Sequence, residues 1–190
     1  MEKLNAETAQ ILNERFGKDT VIALATAEDG RPHVRYVNAL YSDGCFYVVT
    51  HRLSGKMRQI RRSPAVAVCG DWFTAHGDGA DLGAWSAPGN AALAARLRTA
   101  FAGWIDNGHN DLADGDTRIL CIRLTDGVLF HHGRRSDIDF RAWRPRTVLP
   151  ARRLLAIIMG IRHTARTAAH TMAAARCKQK KHCPTKEVTP

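Results

Sequence analysis

Residues Thr20 to Thr50 read TVIALATAEDGRPHVRYVNALYSDGCFYVVT, and this stretch decides the fold. Three apolar, β-branched runs (Thr20–Ala27, His33–Tyr41 and Cys45–Thr50) are separated by Glu28-Asp29-Gly30 and Ser42-Asp43-Gly44. Asp-Gly between apolar runs is a strong hairpin signal, because the glycine accepts positive φ without a Cβ clash. Three strands joined this way form an antiparallel meander.

Working outward, Leu4, Thr8, Ile11, Leu12 and Phe16 fall at helical spacing, and Gly17 supplies a stop. Downstream, Ser54–Arg62 reads as a short helix, with Ser54 as its cap, Met57 and Ile60 facing inward and Ser63-Pro64 ending it. Strands resume at Ala65–Cys69 and Phe73–Ala80, where Gly77 and Gly79 point to bulges or close backbone approach. Asn90–Trp104 reads as a helix with a Leu93, Leu97, Phe101, Trp104 stripe. A last hairpin, Thr117–Thr125 and Val128–His132, is expected around Asp126-Gly127. The fold class is mainly β with inserted helices, an antiparallel small barrel; the lack of βαβ alternation excludes a Rossmann domain.

Composition is that of a globular chain, 45% hydrophobic and 24% charged, and the formal charge of +10 at first points to nucleic acid. Its position overturns that. Residues 1–140 carry 16 Lys+Arg against 17 Asp+Glu, whereas residues 141–190 carry 12 against Glu187 alone. The body is neutral and the tail is basic. Cys45, Cys69 and Cys121 sit in apolar runs and read as small buried residues of a reduced protein. The start lacks an apolar leader, and the longest apolar run, Leu154–Ile161, is eight residues against the roughly 20 of a spanning helix. A cytoplasmic protein without membrane attachment is expected.

The chemistry concentrates between Arg35 and Lys56. Arg35 interrupts an apolar strand, and the third strand ends at Thr50 before turning through Ser54-Gly55-Lys56 into a helix. A strand-to-helix turn offers unpaired N–H groups and the positive helix end, to which Ser54 adds a hydroxyl and Lys56 and Arg35 add charge. This pattern fits an anion site, and a capping serine among solvated cations fits the same spacing at least as well. It is not a P-loop, since Met57 stands where a Mg²⁺-binding hydroxyl is required. Histidines His76, His109, His131 and His132, and the acids Asp111, Asp114 and Asp116, lack ligand spacing, and no metal site is expected.

Arg35-Tyr36-Val37-Asn38, Phe46–Thr50 and Ser54-Gly55-Lys56-Met57-Arg58-Gln59-Ile60-Arg61-Arg62-Ser63-Pro64, in that order, resemble the pyridoxamine 5′-phosphate oxidase-like family. Asp71–Gly77 and Asp126–Phe140 resemble an uncharacterised bacterial branch of it. The resemblance covers residues 1–140 and implies an FMN-binding split β-barrel, a homodimer with the flavin at its interface. It assigns Arg35, Ser54 and Lys56 to the FMN phosphate, Thr50 to the phosphate or ribityl chain, and the strand around Asn38 to the isoalloxazine edge. The Arg-x-His substrate element of the authentic oxidase is missing; Leu129–Arg134 is the nearest stretch.

The expectation is an FMN-dependent oxidoreductase acting on an unidentified small molecule. Its rivals are a non-enzymatic FMN- or haem-binding stress-response protein and a nucleic-acid binder driven by the tail. Two domains are drawn, the flavin-binding barrel at 1–140 and the basic tail at 141–190. The resemblance stops in mid-phrase at Phe140, and the Arg, Ala, Thr and His of the tail match out-of-frame GC-rich codons. A shifted reading frame is therefore preferred to a basic arm with an amphipathic helix over Ala151–Arg176.

Overall fold

The computed structural model describes residues 1–108 and 111–141. His109 and the expected tail helix, together with Cys177, His182 and Cys183, lie outside the described residues. The strands are β1 (Glu2–Lys3), β2 (Thr20–Glu28), β3 (Arg31–Ser42), β4 (Cys45–His51), β5 (Ala65–Gly70), β6 (Phe73–Ala84), β7 (Thr117–His131) and β8 (Arg134–Asp139). The helices are α1 (Ala6–Phe16), α2 (Gly55–Arg62) and α3 (Ala91–Ala100), the last preceded by a 3₁₀ turn at Pro88–Asn90.

The sheet runs β1-β8-β7-β4-β3-β2-β5-β6, and a further β6–β7 pairing closes six of its strands into a barrel. This is a split β-barrel. Both meander turns form as read: Asp29 and Gly30 have φ of 51° and 77°, and Asp43 and Gly44 have φ of 52° and 80°. The third Asp-Gly does not turn. β7 runs unbroken through Asp126-Gly127, and the chain reverses instead at His132-Gly133, with φ of 47° and 72°. The cause is non-local. One edge of β7 carries β4 along Thr117–Arg123 and then β8 along Asp126–His131, while the other edge carries β6. Gly127 is needed for closeness, because a Cβ there would meet the Thr74 carbonyl oxygen at 2.9 Å.

Alternation divides the residues between two cores. Inside the barrel, Ile22, Leu24, Phe46, Val48, Met57, Ile60, Leu120 and Ile122 pack together, with Phe16 of α1 edge-on to Phe46 at 5.5 Å. Outside it, α3 and the segment after it cover Leu40, Tyr47, Ile119 and Cys121 with Leu97, Phe101 and Ile105. α3 ends at Ala100 with Phe101 as its cap, so Trp104 lies beyond the helix, where its indole N–H donates to Asp19 at 2.7 Å. Cys45 and Cys121 are buried as expected, but Cys69 is exposed because the outer face of β5 has no helix over it. Gly77 and Gly79 behave as read. The β6–β7 register shifts at His76/Gly77, and a Cβ on Gly77 would meet the Arg123 carbonyl oxygen at 2.5 Å.

Candidate functional site

Arg35 sits on β3 opposite Leu24 of β2, so its side chain shares the barrel-facing side of the hairpin. A lone guanidinium there needs acceptors, and it finds three. Its Nη1 donates to the Leu24 carbonyl at 3.3 Å and to Thr26 Oγ1 at 2.6 Å, and its Nη2 donates to Gln59 Oε1 at 3.0 Å. Thr26 in turn donates its hydroxyl proton to the same Gln59 oxygen at 2.5 Å. Thr26 and Gln59 are buried, and Met57, Gln59 and Ile60 seat α2 on the barrel.

Lys56 stands in the first turn of α2, within electrostatic reach of Arg35. Burial, and then the neighbouring guanidinium, push its pKa below the usual lysine value; burial likewise lowers that of Arg35. Among the described residues no carboxylate pairs with either cation. Two positive groups held close together and partly dehydrated, without a counter-charge, cost free energy that a bound anion would offset. The helix end adds to this. Ser54 occupies the cap position, but its side chain makes no cap hydrogen bond, a departure from the expected serine cap; its Oγ lies 3.3 Å from the buried Thr50 Oγ1 instead. No side chain therefore caps the first-turn N–H groups, and a Cβ built on Gly55 meets nothing within 4 Å. An anion can approach this backbone closely.

The structure thus joins Arg35 to Lys56 and Thr50 to Ser54 around the start of α2. Asn38 is elsewhere. It lies opposite Val21 on the outer face of β3 and donates to Asp19 at 2.9 Å. Thr26 and Gln59, which hold Arg35, were missed in the sequence. Gln59 is four residues after the helix start and reads there as one polar position among arginines; only its burial marks it.

The outer face of the same strands is apolar and open. Tyr36, Val34 and Val21 are 80%, 68% and 56% exposed. Beside them a shallow trough of about 300 Å³ runs over Ala23, Ala25 and Ala67 to His76 and Asp126. The trough and the cation pair lie on opposite faces of β3, one residue apart. At the far end of β4, His51 Nε2 lies 4.0 Å from both Asp114 and Asp116. His51 Nδ1 accepts from the Leu53 N–H at 3.2 Å, so in the neutral ring Nε2 carries the proton and faces the carboxylates as a donor. Asp116 is further held by the Arg52 guanidinium, which keeps its carboxyl below the usual range. Among the described residues the His51, Asp114 and Asp116 side chains bring their ligand atoms within 4.8 Å of one another at a largely exposed position.

Solved structures share this fold at low identity. A FAD-binding protein from Mesorhizobium loti is 18% identical with a TM-score of 0.51, over 66% of this chain and 94% of that one. A NimC/NimA family protein from Clostridium acetobutylicum is 18% identical with a TM-score of 0.52, over 68% and 92%. A haem-binding protein from Mycobacterium smegmatis is 17% identical with a TM-score of 0.54, over 75% and 60%. No curated protein matches the chain. The family model described as pyridoxamine 5′-phosphate oxidase matches residues 6–129, which include the closed barrel and the cation pair, and the chain belongs to that family.

Proposed function

We propose that this protein binds FMN through its terminal phosphate and acts as an FMN-dependent oxidoreductase on a small molecule. The observation that carries the reading is the Arg35–Lys56 pair, desolvated and without a carboxylate. A phosphomonoester dianion matches that double charge. In FAD each phosphate is a singly charged diester and matches it less well. Arg35, Lys56, Ser54 and the N–H groups at Gly55 and Lys56 hold the phosphate, and Thr50 supports Ser54. Bound there, the flavin supplies the electron-transfer chemistry, and the chain supplies position and electrostatics.

A second copy of the chain completes the molecule in this reading. An exposed ridge of Tyr36 and Val34 beside a furrow of three alanines is self-complementary, as a twofold interface must be. The purified protein is expected to show flavin absorbance and to release a molecule of FMN mass on denaturation. A Soret band would support haem instead, the ligand of one structural neighbour. Bound flavin that no nicotinamide cofactor reduces would favour a binding protein over an enzyme.

A further inference from the structure

Gln59 stands between opposite charges. On one side its Oε1 accepts from Arg35 and Thr26. Arginine has donors only, so the amide can present only its oxygen to it. On the other side is Glu28, two residues along β2 from Thr26 and on the same face, whose carboxyl is kept below the usual range by Arg58 first, with Gln59 and Arg62 contributing. Glu28 is engaged by Arg58 at 3.3 Å and Arg62 at 2.7 Å. Arg58 and Arg62 thus hold Glu28, while Thr26 and Gln59 hold Arg35. Glu28 shares that face of β2 with Leu24 and Thr26, the residues that accept from Arg35, and a carboxylate pairing with Arg35 would quench the cation.

We infer that Gln59 is a positioning residue that aims Arg35 with a neutral acceptor while keeping Glu28 off it, so that the site retains the double positive charge a terminal phosphate requires. This rests on the phosphate reading of the Arg35–Lys56 pair. A glutamine suits this position because its oxygen accepts from Arg35 and Thr26 without bringing a charge. A carboxylate at the same position would make the same hydrogen bond to Arg35, more strongly, and leave it neutralised.

The test is a titration of the full-length protein with FMN and with riboflavin, followed by flavin fluorescence, with inorganic phosphate as competitor. The unaltered protein is expected to bind FMN at least about tenfold more tightly than riboflavin. Gln59→Glu preserves shape and acceptor and should bring FMN down to the riboflavin affinity, with riboflavin unchanged. Gln59→Leu loses the acceptor without adding charge and should weaken FMN by only about threefold. A purely structural role gives the opposite order, with leucine worse than glutamate. Glu28→Gln/Gln59→Glu relocates the carboxylate at constant charge and should fail on FMN as the single Glu variant does. Glu28→Gln alone, with low risk to folding, should leave FMN affinity within about twofold, because that carboxylate is already insulated. Retention of FMN selectivity in the Gln59→Glu proteins, or a tenfold gain from Glu28→Gln, overturns the inference and leaves the phosphate site standing. Equal FMN and riboflavin affinities in the unaltered protein overturn both.

Discussion

Lys56 carries a conflict between stability and binding. Its ammonium is partly dehydrated beside Arg35, and in the proposed phosphate site a bound anion offsets both costs. Lys56→Met removes the charge and keeps the stem. The ligand-free variant is expected to melt a few degrees higher, and FMN affinity to fall about tenfold or more; calorimetry and fluorescence titration read the two effects. Arg52→Ala is the control. That guanidinium is engaged by Asp116, so FMN affinity should hold. The pH dependence follows from the same lysine. Burial lowers the Lys56 pKa, so the free protein loses that proton earlier than an ordinary lysine does as pH rises. In the proposed site, binding needs the charged ammonium and the phosphate dianion. Affinity should therefore fall on the alkaline side through the lowered Lys56 pKa, and on the acid side below about pH 6, where the phosphate takes up its second proton. Lys56→Met should lose the alkaline limb and keep the acid one. An alkaline limb unchanged in the variant would remove Lys56 from the site.

At the scale of elements, the glycines separate closure from ligand approach. Gly77 lets β6 lie against β7, and the Arg123 carbonyl occupies the place of its missing Cβ. Gly77→Ala must push two strands apart and should cost about 2–3 kcal/mol of stability by denaturant unfolding. Gly55 has open space above it, so Gly55→Ala should leave stability equal or slightly higher, by about 0.5 kcal/mol. The same methyl group stands where the phosphate approaches α2, and FMN affinity should drop. If Gly55→Ala binds FMN as well as the unaltered chain, the anion does not rest on that helix end.

The largest scale is assembly. Among the described residues no helix is long and apolar enough to cross a membrane. The open apolar face of β2, β3 and β5 has room for a second chain. Tyr36→Lys places a charge on the exposed ridge and should convert a dimer to a folded monomer by light scattering, with the melting transition retained. A dimer that survives this change must use another face. The family match ends at residue 129, and the positive charge lies beyond 140. A chain ending at Arg141 is therefore expected to keep its FMN affinity. Loss of binding in that shortened chain would make the basic segment part of the site.

Local chemistry made much of this legible. Asp29-Gly30 and Asp43-Gly44 specify their turns within four residues, and period-two alternation in β2–β4 assigns each side chain a face without reference to the rest of the chain. The gathering of Arg35 with Lys56 and of Thr50 with Ser54 was legible because these residues belong to one short connected stretch. Asp126-Gly127 shows the limit: the same dipeptide runs straight when two neighbouring strands require a continuous partner. Strand closure, the exposure of Cys69 and the outward placement of Asn38 depend on which element covers which face. The hold on Arg35 by Thr26 and Gln59 joins positions far apart in the chain. Turn preference and alternation are written residue by residue and survive in the sequence; pairing between distant strands arises only when the barrel shuts, and that step determined how the site's charge is kept available.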